Sequence, residues 1–88
     1  MITNADVARI LREIALLLDM DGIAFKPRAY EKAADAVEGS DDSLADLYRR
    51  GGIKAIEQIP GVGKSIAEKI GTLLDTGRLP YYEELHAK

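Results

Sequence analysis

The residues best suited to chemistry form one short run, Gly61-Val62-Gly63-Lys64-Ser65, preceded by Ile59-Pro60 and followed by Ile66-Ala67. Pro60 stops one helical segment, and a new apolar period opens at Ile66. Glycines in the connecting turn admit backbone angles closed to other residues and let another molecule approach the main chain closely. The next helix begins at once, so its unpaired amides and the positive end of its dipole face outward at the turn. That arrangement suits an anion, above all a phosphate oxygen. Lys64 adds a charge and Ser65 a hydroxyl. Contacts of this kind hold a duplex in place without reading its bases.

Further along the same helix stands Lys69. A lysine amine attacks a carbonyl only in its neutral form, so a nucleophilic lysine needs partial desolvation or nearby cations. At about 100° per residue, Lys69 lies about 40° round the helix from Leu73 and about 60° from Ile66. Its stem therefore runs along the edge of the core. The alternative is an ordinary solvated lysine with an apolar stem.

Three competing readings bear on these motifs. Gly63-Lys64-Ser65 matches the end of a P-loop, but the first glycine of that motif would fall on Gln58, and the preceding segment is helical. Asp19-Met20-Asp21 offers paired carboxylates, yet Ala24 occupies the glycine position of a calcium loop, so a solvated helix end is expected. Gly61-Val62-Gly63 read alone is a plain turn. Pro60 before it and Lys64-Ser65 after it favour a DNA contact.

These residues must be positioned by very little chain. Eighty-eight residues make one small domain, residues 1–88, too short for a nucleotidyl-transfer core, a dinucleotide-binding fold or a barrel. With 47% hydrophobic and 31% charged residues the chain is globular rather than disordered. It has no Trp and one Phe, so the core must come from Ile, Leu, Val and Ala. Cysteine is absent, and His86 is the single histidine. Disulfides, thiolate sites and Ser-His-Asp triads are thereby excluded or disfavoured. Arg9, Arg12 and Glu13 interrupt the apolar segment Val7 to Leu18, which is neither a signal peptide nor a membrane span. The net charge of −3 argues against nucleic acid for the chain as a whole. Local clustering decides the matter.

The apolar spacing is helical throughout. The first helix is expected from Thr3, with Asp6 as capping-box partner, and ends at Asp19-Met20-Asp21-Gly22. Its inner face is Val7, Ile10, Leu11, Ile14, Leu17 and Leu18. A second begins at Pro27, with Ala29, Tyr30, Ala33, Ala34 and Val37 inward. Asp42 or Ser43 caps a third, Leu44 to Arg50, which Gly51-Gly52 breaks. Ile53 to Ile59 and Lys64 to Asp75 follow, the latter closed by Gly77. Pro80 to His86 adds a final turn or two. The expectation is an all-α bundle of five or six short helices, with one helix-hairpin-helix motif at about residues 53–76.

Ile59-Pro60-Gly61-Val62-Gly63, Ile66-Ala67-Glu68-Lys69-Ile70 and Thr76-Gly77-Arg78-Leu79 resemble the amino-terminal domain of family X DNA polymerases, the DNA polymerase beta family. Upstream, Lys26, Ala29-Tyr30 and Lys32-Ala33-Ala34 match the second helix of that domain. The likeness covers nearly the whole chain, and bacterial members look closest. The resemblance implies a DNA-repair domain that grips the 5′-phosphate side of gapped DNA. It also implies 5′-deoxyribose phosphate lyase chemistry through a lysine Schiff base. The nucleophile would fall on Lys69, supported by Tyr30 and Glu68. A phosphate-pocket lysine falls on Lys26. A monovalent cation, K⁺ or Na⁺, would sit on the main-chain carbonyls of Glu57, Ile59 and Val62.

The chain departs from that pattern in three places. Ser65 replaces a second phosphate-pocket lysine. Tyr81 stands where a basic residue is common. Phe25 replaces a base-stacking histidine, though an aromatic still stacks. Lys26, Arg28, Lys32, Lys64, Lys69 and Arg78 fall near the inferred DNA face, while Asp41, Asp42 and Asp46 cluster away from it. Polymerase chemistry, with its Mg²⁺, needs a sheet of metal-binding aspartates that these residues lack. A fragment or stand-alone relative is therefore expected, monomeric and in the bacterial cytosol near the nucleoid. The alternatives are a non-catalytic hairpin module that binds DNA and a helical protein-interaction domain.

Overall fold

A computed structural model describes residues 2–87, in which five helices and no strand occur. Helix α1 spans Asn4–Met20, α2 Lys26–Glu38, α3 Leu44–Glu57, α4 Lys64–Thr76 and α5 Pro80–Ala87. Helix α1 packs on α2, α3 on α4, and α5 against α1. The all-α fold class read from the sequence stands.

Local chemistry sets each boundary. The Thr3 hydroxyl accepts from the Asp6 amide at 3.1 Å, and the Asp6 carboxylate accepts from the Thr3 amide at 2.9 Å, completing a capping box. At the other end of α1 the Ile23 amide donates to the Leu18 carbonyl and the Gly22 amide to Asp19. Gly22 takes φ +76°, as this helix-closing motif requires. Asp19 and Asp21 are exposed members of that terminus, and no group of three or more metal-ligating side chains forms among the described residues.

The α1–α2 connection holds a strained residue. Phe25 has φ +71° and ψ −43°, with the Lys26 amide donating to the Ala24 carbonyl at 2.8 Å. This is a γ-turn of the rare positive-φ kind, costly for a residue bearing a Cβ. Phe25 is 91% exposed, so no packing of its ring offsets the cost. Helix α2 starts at Lys26, one residue before the expected Pro27, which occupies its first turn.

The expected break between the third and fourth helices is present at Gly52, whose backbone is non-helical, and α3 comprises both limbs. Ser43 caps α3 and Gly52, at φ +68° and ψ −156°, bends it. The second limb ends at Glu57, not Ile59, because the Ile59 amide turns back to the Ile56 carbonyl at 3.1 Å. Helix α4 closes on left-handed Gly77, as expected. Asn4 ties the α2–α3 turn to the start of α1, accepting from the Leu44 amide and donating to the Asp42 carbonyl.

The core is aliphatic, with Val7, Leu11, Ile14, Val37, Leu44, Ile56 and Ile70 at 2% exposure or less. Burial of such side chains, each worth about 1.5–3 kcal/mol, stabilises the bundle. Ala29 corrects the expected inner face of α2, since it is exposed while Tyr30, Ala33, Ala34 and Val37 are buried. Leu17 is only half-buried. Helices α3 and α4 approach closely at Gly71, where a Cβ would meet Tyr48 at 3.1 Å and Ile53 at 3.3 Å. Across the same contact the Tyr48 hydroxyl donates to Asp75 at 2.7 Å.

Candidate nucleic-acid interface

The α3–α4 turn faces α2 because α2 offers it small residues. Gly61 adopts φ +99°, and a Cβ there would stand 3.4 Å from the Ala36 Cβ and 3.5 Å from the Lys32 Cγ. The Val62 amide donates to the Ile59 carbonyl at 3.0 Å, and Val62 is buried as the turn's apolar anchor. Gly63 differs from expectation. Its φ of −82° and ψ of 173° are ordinary extended values, and a Cβ would meet nothing within 4 Å. Of the two glycines, Gly61 carries the unusual backbone and Gly63 leaves the approach open.

Gly63 is the N-cap of α4 and has no side chain to cap it. The first hydrogen bond of the helix start runs from the Ala67 amide to the Gly63 carbonyl at 2.8 Å. The amides of Lys64, Ser65 and Ile66 therefore precede the helical ladder and face outward with the positive end of the dipole.

Around this helix start lies a cleft of about 670 Å³. Lys26 and Lys32 of α2, Lys64 and Lys69 of α4, and the turn Gly61-Val62-Gly63 line it, with Ser65, Ile66, Ala29, Tyr30 and Tyr81. Four lysines and no carboxylate contribute to the lining. Two acids of α2 are engaged elsewhere. Arg12 joins Asp35 and Glu38 at 2.9 Å each on the far side of α2, and this pairing holds Glu38 below its ordinary carboxylate range.

Lys69 is half-buried, in keeping with a stem along the core edge. Its Nζ donates to Ser65 Oγ at 3.0 Å and lies 4.7 Å from the centroid of the Tyr81 ring. Tyr30 is 5% exposed and stacks on Tyr81, with centroids 6.3 Å apart and 14° between planes. Burial, and then the neighbouring Tyr81, push the Tyr30 hydroxyl well above the ordinary tyrosine range. The Tyr30 hydroxyl therefore stays protonated at physiological pH.

The structure gathers Lys26, Tyr30, Gly61, Val62, Gly63, Lys64, Ser65 and Lys69 on one cleft, and leaves other candidates outside it. Glu68 is exposed and is not part of the lining. Phe25 and Arg28 border an adjoining groove that shares Ala29 and Lys32 with the cleft. Arg78 is held in a two-point pair by Glu83, at 2.9 and 2.7 Å. Glu57, the last residue of α3, and Ile59 lie outside the lining.

Four lining residues, Ala29, Lys32, Ile66 and Tyr81, were not among the site residues read from the sequence. Lys32 had a signal, because Ala29, Lys32 and Ala36 recur at helical spacing on the face that meets Gly61. Tyr81 had one too, as a departure from the family pattern at a commonly basic position, although its contact with Lys69 depends on the placement of α5.

With this geometry in view, the chain belongs to the helix-hairpin-helix domain family, a class of DNA-binding module, whose pattern matches residues 2–79. It is similar to DNA polymerase IV of Saccharomyces cerevisiae, 33% identical over 77 residues. That stretch covers 88% of this chain but only 12% of the relative, so the chain spans about an eighth of the relative's length. The beta-type polymerase resemblance read from the motifs agrees with both findings. No helix among the described residues is long and apolar enough to cross a membrane.

Proposed function

We propose that this domain grips gapped DNA by the 5′-phosphate at the downstream edge of the gap. The observation that carries the reading is the convergence of Lys26, Lys32, Lys64 and Lys69 with the uncapped start of α4 on one cleft free of carboxylates. Each charge-assisted contact to a phosphate oxygen is worth about 1.5–3 kcal/mol before screening. The relative's designation as a DNA polymerase supports a DNA partner. The main-chain oxygens of Glu57, Ile59 and Val62 are hard donors suited to K⁺ or Na⁺. A cation there would draw a backbone phosphate to the hairpin.

The test is titration of a gapped duplex carrying a 5′-phosphate against the same duplex ending in a 5′-hydroxyl, across a salt series. The phosphorylated end binds several-fold tighter, and affinity falls steeply with salt. Equal affinities would leave a module that holds duplex backbone alone. No DNA affinity at any salt would leave a protein-interaction domain.

A second reading has one observation in its favour, the presence of the Lys69 amine in the same cleft. Lys69 as a lyase nucleophile would add its nitrogen to the C1′ aldehyde of an abasic sugar. The carbonyl oxygen leaves as water, and loss of a C2′ proton then breaks the C3′–O bond. Tyr30, neutral and buried beside the cleft, would act as a donor. Borohydride reduction of the imine gives a covalent adduct, which Lys69→Ala abolishes if this reading holds.

A further inference from the structure

Tyr81 reaches the cleft from α5, the helix that follows the hairpin. The Lys69 Nζ lies between two groups, the Ser65 hydroxyl of its own helix at 3.0 Å and the Tyr81 ring at 4.7 Å to the centroid. The Tyr81 ring is in turn steadied by its near-parallel stack on buried Tyr30. A ring face attracts a cation through its quadrupole and offers little to a neutral amine. The Ser65 oxygen serves as acceptor for an ammonium proton. Both contacts suit a lysine that binds phosphate, whereas attack on carbon needs the free lone pair.

We infer that Tyr81 is a positioning residue that keeps Lys69 as a fixed cation for the 5′-phosphate and slows imine formation at that amine. The inference rests on reading the cleft as a 5′-phosphate site and adds what sets the role of its deepest lysine. Imine formation needs the Nζ lone pair to bond C1′ while both amine protons leave with the carbonyl oxygen as water. An ammonium held against a ring face has no lone pair free for that step. The ring, not the phenol hydroxyl, is the acting group.

The test compares Tyr81→Phe and Tyr81→Leu with the unaltered chain by three readouts. These are the affinity ratio for 5′-phosphate over 5′-hydroxyl gapped duplex, the rate of borohydride-trapped adduct on a 5′-deoxyribose phosphate duplex, and the proton shifts of the Lys69 Cε methylene. Tyr81→Phe matches the unaltered chain in all three. Tyr81→Leu lowers the phosphate ratio about two- to fivefold, raises the adduct rate by a similar factor and removes the upfield ring-current shift. Tyr81→Met reads the same effects if Tyr81→Leu proves unfolded by circular dichroism. An adduct rate that does not rise on loss of the ring, including one that stays at zero, overturns the inference. So does an unchanged methylene shift. A missing 5′-phosphate preference in the unaltered chain would fail the phosphate reading itself, and would be seen before any Tyr81 variant is compared.

Discussion

Gly61 and Gly63 sit two residues apart and divide the work of the hairpin turn. Gly61 is bent to φ +99° against Ala36 and Lys32, while Gly63 is extended and faces open space at the head of α4. Substitutions at the two positions therefore act through different quantities. Gly61→Ala strains the backbone and costs about 1–2 kcal/mol of stability. Gly63→Ser supplies the missing cap and gains a few tenths of a kcal/mol, yet its hydroxyl competes for the amides offered to phosphate. Stability and DNA affinity should move in opposite directions for Gly63→Ser, as urea unfolding and gapped-duplex titration would report.

Lys32 should matter more to binding than Arg78. Lys32 lines the cleft, whereas Arg78 is paired with Glu83. Lys32→Ala, Lys26→Ala and Lys64→Ala should each lower the slope of log K against log salt by about 1 unit. Arg78→Ala should leave that slope nearly unchanged. Slopes measured on one gapped duplex settle the comparison.

The contact between α3 and α4 makes Gly71 sensitive. Alanine would favour the helix by about 1 kcal/mol, but its Cβ meets Tyr48 and Ile53 at 3.1 and 3.3 Å. Tyr48 is tethered to Asp75 and cannot give way cheaply. Gly71→Ala is expected to destabilise by about 1 kcal/mol net. The loss should shrink in a Tyr48→Phe background, where the tether is gone, and a double-mutant thermal-melt cycle measures the difference.

Stability should fall at both ends of the pH scale. Asp6 is held below its ordinary value by the Thr3 backbone and side chain, Glu38 by Arg12 and Glu83 by Arg78. Their contribution is present above the ordinary carboxylate range and is lost as pH falls through the lowered values. Glu38→Gln should flatten part of that acid limb. Tyr30, Tyr48 and Tyr82 are pushed above the ordinary value of 10.0, by burial for Tyr30 and Tyr82 and by the Asp75 hydrogen bond for Tyr48. Their contribution is full below pH 10 and declines as pH rises past it, so phenolate absorbance should appear together with loss of helicity.

Helix ends were legible where a local rule sets them, as at Thr3, Gly22 and Gly77. So was the break within α3, which the glycine pair signals and Gly52 makes. The role of Gly63 was misread. Sequence shows that a glycine is present, not which φ it adopts. At the cleft, the turn and Lys69 followed from motif and period. The family pattern marked Tyr81 as a departure, but its stack on Tyr30 and its ring beside Lys69 depend on where α5 lands.

Helix α5 carries one wall of the cleft while being the shortest helix described. Leu79 and Leu85 seat it, Tyr81 stacks on Tyr30, and its polar ties are Arg78 to Glu83 and the Tyr82 hydroxyl to Glu13 at 3.0 Å. Amide hydrogen exchange should therefore begin there, at a lower opening free energy than in α1 or α4. Each opening swings Tyr81 off Lys69, so ligand in the cleft and protection of the α5 amides are linked quantities. Salt, by loosening the polar ties and the phosphate contacts together, would weaken binding twice through one small helix.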